Sequence, residues 1–117
     1  MRVVRLATDD GRVVCERCLV AESAFSRMRG LLGRSGLESG EGILLRPAGS
    51  IHTVFMRFSI DAVFLDRDLA VLKVASNLAP WRAARCSGAR AVVELPAGES
   101  ARRGLRAGDR LALAEHV

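Results

Sequence analysis

The chain has 117 residues, half of them hydrophobic, and a mass of 12.6 kDa, so it is sized for a single domain with one packed core and is too apolar to be a disordered polymer. Its formal charge of +5 raises an anionic partner, but Lys73 is the only lysine, the arginines are scattered among 13 acids, and tyrosine is absent; this argues against a dedicated nucleic-acid binder with a basic stripe and stacking aromatics. The longest apolar runs, such as Ala62-Val63-Phe64-Leu65, are too short to span a bilayer, so no membrane span is expected.

In chain order, Val3-Val4-Arg5-Leu6 and Val13-Val14-Cys15 are β-branched runs flanking the turn signal Asp9-Asp10-Gly11, which predicts a hairpin, with Cys18-Leu19-Val20-Ala21 continuing its second strand. The period then changes. Ala24, Phe25, Met28, Leu31 and Leu32 fall at helical spacing, predicting a helix over 23–32 that is capped by Ser23, ends before Gly33 and turns Phe25, Met28 and Leu32 inward. A glycine-rich loop follows to Gly42. Beyond it, strands are predicted at Ile43 to Arg46, Ile51 to Phe55, Ile60 to Leu65, Leu69 to Ser76, Ala91 to Leu95 and Leu111 to Glu115, with turns rich in Pro, Gly and Asp between them. A short helical turn fits Glu99 to Leu105. The expected fold class is all-β, a sandwich- or barrel-like single domain with one short helix near residues 23–32; the alternative is α+β.

Several motifs invite chemistry. Cys15-Glu16-Arg17-Cys18 has redox or zinc-ligand spacing, but it lies in a strand pattern, where residues i and i+3 point to opposite faces. The expectation is small core thiols, with no metal and no cofactor. No targeting segment is recognisable, so the expected location is the cytoplasm, where thiols stay reduced. Gly30, Gly33 and Gly36 lack the lysine of a phosphate-binding loop and read as a helix end and surface loop. Asp66 and Asp68 sit in a turn where aspartate serves the backbone.

The stretch from Ser50 to Asp61 concentrates His52, Met56, Arg57 and Asp61 within two predicted strands and their junction. Alternation places Ile51, Thr53 and Phe55 on one face and His52, Val54 and Met56 on the other. His52 can act as acid, base or ligand, Arg57 can hold a carboxylate or phosphate, and Trp81, in a Pro80-Trp81-Arg82 loop, is either a stacking platform or a core lid. Arg57 and Asp61 can equally pair with each other.

Arg29-Gly30-Leu31-Leu32-Gly33-Arg34, Glu41-Gly42-Ile43-Leu44-Leu45, the whole run from Ile51 to Asp66, Glu94-Leu95-Pro96-Ala97-Gly98 and Gly108-Asp109 occur in that order. Together they resemble the bacterial and archaeal family called domain of unknown function 192, from about Ala21 to the C-terminus. The resemblance implies a mainly-β, sandwich-like domain with a short helix near its start, and no activity. It gives weight to Arg29, Gly30, Arg34, Met56, Asp61, Glu94 and Gly98 as motif positions.

The leading functional expectation is a non-catalytic binding module for a small, anionic molecule or a peptide segment, using His52, Met56, Arg57, Asp61 and Trp81 with Arg29 and Arg34 nearby. Two other classes stay open: a hydrolase-type enzyme using His52 and Asp61, and a basic protein that engages nucleic acid through charge.

Overall fold

The turn at Asp9-Asp10-Gly11 folds β1 (Val3–Thr8) back on β2 (Val13–Ala21) as an antiparallel pair. The computed structural model describes residues 2–23, 26–27, 31 and 33–115. Within them follow β3 (Glu41–Leu45), β4 (Ser50–His52), β5 (Ile60–Leu65), β6 (Val71–Leu78), β7 (Ala83–Arg85), β8 (Ala91–Pro96), helix α1 (Glu99–Arg102) and β9 (Leu111–Glu115). Seven strands form one sheet in the order β6-β5-β8-β3-β2-β1-β9, and β4 pairs with β7 in a separate ladder. Among the described residues only the β2–β3 pair is parallel.

The two outer strands of the large sheet approach each other at one end. Ala70 bridges Arg110, the Val71 amide donates to Asp109 O at 2.7 Å, and the Leu111 amide donates to Leu69 O at 2.9 Å. The sheet therefore curls toward closure, giving the barrel-like all-β fold that the many short strands imply. β5 and β8 are buried along their whole length, because both of their faces are covered. Val63, Leu65, Val93 and Leu95 face a core shared with Val4, Leu6, Val20 and Leu111. Ile60, Ala62, Phe64 and Val92 face a second core with Ile51 and Met56, where Ile51 belongs to the β4–β7 ladder. Strands covered on two sides read as unbroken apolar runs, which is how Ala62 to Leu65 appears in the sequence. Each large apolar side chain fully buried there contributes roughly 1.5–3 kcal/mol.

β5 and β9 occupy the residues expected of them, and α1 takes the first part of the expected turn from Glu99 to Leu105. Ser26 and Arg27, in the segment expected to be helical, have helical backbone. Ser23 Oγ accepts the Ser26 amide at 3.0 Å, as a cap does. Phe25, Met28 and Leu32, expected on the inner face of that helix, lie outside the described residues.

Two expectations are corrected. The strand expected from Ile51 to Phe55 stops at His52, because the chain turns at Val54-Phe55 with Phe55 at φ 68°. Alternation fails from that point, so Phe55 is exposed and Met56 is buried. Nor do Cys15 and Cys18 point to opposite faces. Val4 pairs with Cys18 and Leu6 with Cys15, so β2 uses three steps where β1 uses two, and β2 carries a bulge. The extra residue returns both thiols to the face of Val4 and Leu6, inside the same core.

Candidate functional site

The short β4–β7 ladder has an inner and an outer face. Ile51 and Ala84, paired across it, pack inward, and the alternation of a strand sends Ser50, His52, Ala83 and Arg85 outward. An open groove of about 750 Å³ runs along this ladder and is completed by Lys73 on β6. His52, Lys73 and Arg85 are all exposed, so the groove carries two fixed positive charges and an imidazole. The Lys73 ammonium donates to Arg85 O at 3.1 Å and lies 5.7 Å from the centre of the Phe64 ring, which ties its position to the core. His52 Nδ1 accepts the Val54 amide at 3.3 Å, so Nε2 is the ring nitrogen left outside that contact.

Beyond His52 the ladder ends in two loops joined at Thr53, which is fully buried. The Thr53 amide donates to Arg82 O at 2.8 Å, its hydroxyl donates to Ala79 O at 2.6 Å and accepts the Arg82 amide at 2.8 Å, and its carbonyl accepts the amides of Trp81 at 2.9 Å and Met56 at 3.1 Å. Held this way, both loops bend sharply: Phe55 has φ 68° and Trp81 φ 64°. The bends bring the two rings together with centroids 4.8 Å apart and planes at 60°. Yet Phe55 remains 70% exposed and Trp81 58% exposed.

The other residues singled out by sequence go elsewhere. Met56 is buried in the second core. Arg57 is exposed in the turn that follows it. Asp61 is fully buried, and its carboxylate accepts the amides of Asn77, Gly98 and Ser100 together with the Ser100 hydroxyl; it pairs with neither Arg57 nor His52. Arg34 donates to Glu41 at 3.2 Å, beside β2 and β3. Arg29 lies outside the described residues. The structure thus leaves His52 exposed on the β4–β7 ladder and Arg57 and Trp81 exposed in the loops that follow β4 and precede β7, and it keeps Met56 and Asp61 within the scaffold. Among the described residues no three His, Cys, Asp or Glu side chains converge on a metal position, and no helix is long and apolar enough to cross a membrane.

Thr53, Phe55, Lys73 and Arg85 were not legible as site residues. Phe55 lies in a run that looks like strand core, and its turn depends on a threonine bonded to residues 26 to 29 positions away. Lys73 and Arg85 belong to no motif, although Lys73 stands out as the one lysine.

The sequence profile of DUF192, described as Uncharacterized ACR, matches residues 5–113. A UPF0127 protein from Thermococcus sibiricus is 36% identical over 95 residues, covering 75% of this chain, and the chain spans only 60% of that relative's length. Two crystal structures are similar. One is a protein of unknown function from Novosphingobium aromaticivorans, with a TM-score of 0.81 and 24% identity over 94% of this chain and 83% of that one. The other is a putative transcription regulator from Sinorhizobium meliloti, with a TM-score of 0.83 and 24% identity over 96% of this chain and 92% of that one. At such identity the likeness is one of fold.

Proposed function

This chain belongs to the DUF192 family, and from that membership, which brings a fold without an activity, we propose that it is a non-catalytic binding module whose binding face is the outer side of the β4–β7 ladder and the Phe55–Trp81 pair. The exposed aromatic pair carries this reading. A bulky non-glycine residue in left-handed backbone costs on the order of 1–3 kcal/mol. Phe55 and Trp81 both adopt it, and neither recovers the cost by entering the core. Such strain around exposed aromatic surface marks a place where a partner covers the rings.

The groove along the ladder that runs into these two loops supplies the second half of the recognition. Lys73, Arg85 and the outward edge of His52 favour an anion, so the ligand class is a small molecule or peptide segment carrying an apolar or aromatic group next to a carboxylate or phosphate. Catalysis by His52 and Asp61 finds no support: one is exposed, the other is buried and fully engaged by backbone amides. A general nucleic-acid role is weakened as well, because Arg2, Arg12, Arg34, Arg46, Arg102 and Arg103 are all engaged with carboxylates.

Trp81 is the only tryptophan, so its fluorescence reports directly on this face. Titration with an acidic peptide containing phenylalanine should change that emission saturably, more weakly at high salt. Phe55→Ala and Arg85→Ala should each weaken the response while leaving the thermal melt within about 0.5 kcal/mol of the parent, as surface substitutions do. Emission indifferent to acidic aromatic peptides and to aromatic carboxylates at millimolar concentration would remove the proposal.

A further inference from the structure

The bulge in β2 has placed two cysteines side by side in a core that otherwise contains aliphatic side chains. Along a regular strand, residues three apart are separated by about 10 Å. Here the stretch from Cys15 to Cys18 faces only the two steps from Leu6 to Val4, which shortens the span to about 6.7 Å, at the upper end of the range that a disulfide bridges. Both side chains point to the same interior and are fully buried, and both are free thiols. From this geometry we infer that Cys15 and Cys18 form a dithiol–disulfide couple within one strand, reversibly oxidised by low-molecular-weight disulfides.

The electrostatics assign the order of events. Direct interaction with the Cys18 thiol is the main influence that lowers the Cys15 pKa, with help from the Arg17 amide and then Arg103, whereas Cys15 and burial push Cys18 upward. Arg103 acts on Cys15 and not on Cys18, so Cys15 takes the part of the attacking thiolate in this proposal. It displaces one thiol from the small disulfide and becomes a mixed disulfide. Cys18, losing its proton, then attacks the Cys15 sulfur and releases the second thiol. Two thiols of the protein are oxidised, one S–S bond forms within the chain, and the small disulfide is reduced to two thiols.

A strap at Ser39-Gly40 lies against Cys15. Cys15 Sγ lies 3.5 Å from Gly40 O, and Glu99 holds that segment by accepting the Ser39 hydroxyl at 2.8 Å and the Gly40 amide at 3.0 Å. Oxidation turns the Cys15 sulfur from Gly40 toward Cys18, so the redox state of the pair is felt at the strap.

The test uses the full chain with Cys86→Ser, which removes the half-buried third thiol. Folded protein is equilibrated with oxidised glutathione, then acid-quenched for intact-mass measurement and thiol counting under denaturing conditions. Expected are loss of both thiols with no retained glutathione, a near-ultraviolet spectrum that stays native, and full return of the thiols on adding dithiothreitol. A further Cys15→Ser or Cys18→Ser substitution should abolish this change. The same chain unfolded in urea gives the reference for unconstrained cysteines at this spacing. Thiols that persist in the folded chain after long equilibration, stable glutathione adducts in place of the bond, or a disulfide found only together with loss of the native spectrum would each overturn the inference.

Discussion

Asp61 and Ser100 are joined twice: Asp61 Oδ2 accepts both the Ser100 amide, at 3.0 Å, and the Ser100 hydroxyl. The other carboxylate oxygen accepts the amides of Asn77 at 2.9 Å and Gly98 at 3.1 Å. One side chain on β5 therefore fastens the far end of β6 and the start of α1. Gly98 sits at φ 86° to present its amide, a conformation that glycine adopts without strain. Burial alone would raise the Asp61 pKa, but these donors outweigh it and hold the carboxyl below its ordinary value. Asp61→Asn replaces an acceptor by a group that directs N–H bonds at other donors, and the expected loss is about 3 kcal/mol or more. Ser100→Ala, which keeps the amide contact, should cost about 1–2 kcal/mol. Urea unfolding measures both, and an unshifted midpoint for Asp61→Asn would show that the carboxylate does not hold this junction.

Glu99 makes a second buried junction. Its Oε1 accepts Arg102 at 2.6 Å, and its Oε2 accepts Arg103 at 3.1 Å together with Ser39 and Gly40. Burial opposes ionisation, but Arg102, the Gly40 amide, Ser39 and Arg103 overcome it and bring the pKa down to about 2. A carboxyl lowered on folding stabilises the protein above its unfolded value and loses that contribution as the pH falls through its folded value. Stability should therefore drop between about pH 4.5 and about pH 2. Glu99→Gln should remove most of that acid dependence at a cost of about 3 kcal/mol near neutrality. Equal acid midpoints for the parent and variant would contradict this.

How much could be read beforehand follows from the range of the forces involved. The hairpin and the turn at Asp66 depend on near neighbours, and β5 and β9 carry their apolar strand pattern in their own residues even though their partners are distant, so all stand where the sequence puts them; Asp66 Oδ1 accepts the amides of Asp68 and Ala70, both at 2.9 Å. β7 carries no signal, because Ala-Ala-Arg lacks β-branched residues and pairs only through Ser50 to His52. The bulge between Cys15 and Cys18 is set by the register with β1, which alternation along β2 cannot reveal. At the candidate site, His52 and Trp81 were visible as unusual residue types. Asp61 looked like a functional carboxylate for the same reason, and only its backbone partners, up to 39 residues away, identify it as a fastening.

Gly42 is required by contact rather than by backbone angle. A Cβ there would lie 2.9 Å from Glu94 O and 3.0 Å from both Cys15 Sγ and Leu95 Cδ2. Glu94 O belongs to β8 in the middle of the sheet, so it cannot retreat without disturbing the strands around it. Gly42→Ala should cost about 1–3 kcal/mol, as overpacking does. Gly36, which has open space at the same position, provides the control: Gly36→Ala should leave the melt nearly unchanged. Equal effects of the two substitutions would show that the crowding at Gly42 is relieved cheaply.

Glu94 gives the opposite pH dependence to Glu99. It lies on β8 opposite Ile43 of β3 and Ala62 of β5, on the face of Val92, and is almost wholly buried. Burial pushes its pKa from 4.5 up to about 7, so the folded chain binds a proton that the unfolded chain releases earlier. Between those values the unfolded state carries fewer protons, and stability falls as the pH rises. The decline should begin near pH 4.5, level off above about pH 7, and amount to about 3 kcal/mol if nothing else titrates in that window. Set against the acid loss from Glu99, it places the greatest stability at mildly acid pH. Glu94→Gln keeps the shape of the protonated acid without its titration, so its urea midpoint should be flat from about pH 5 to about pH 8 while the loss below pH 4.5 remains. The variant should then exceed the parent in stability at neutral pH and match it near pH 4.5. Parallel curves for the two proteins across the upper window would show that Glu94 does not enter the core uncharged.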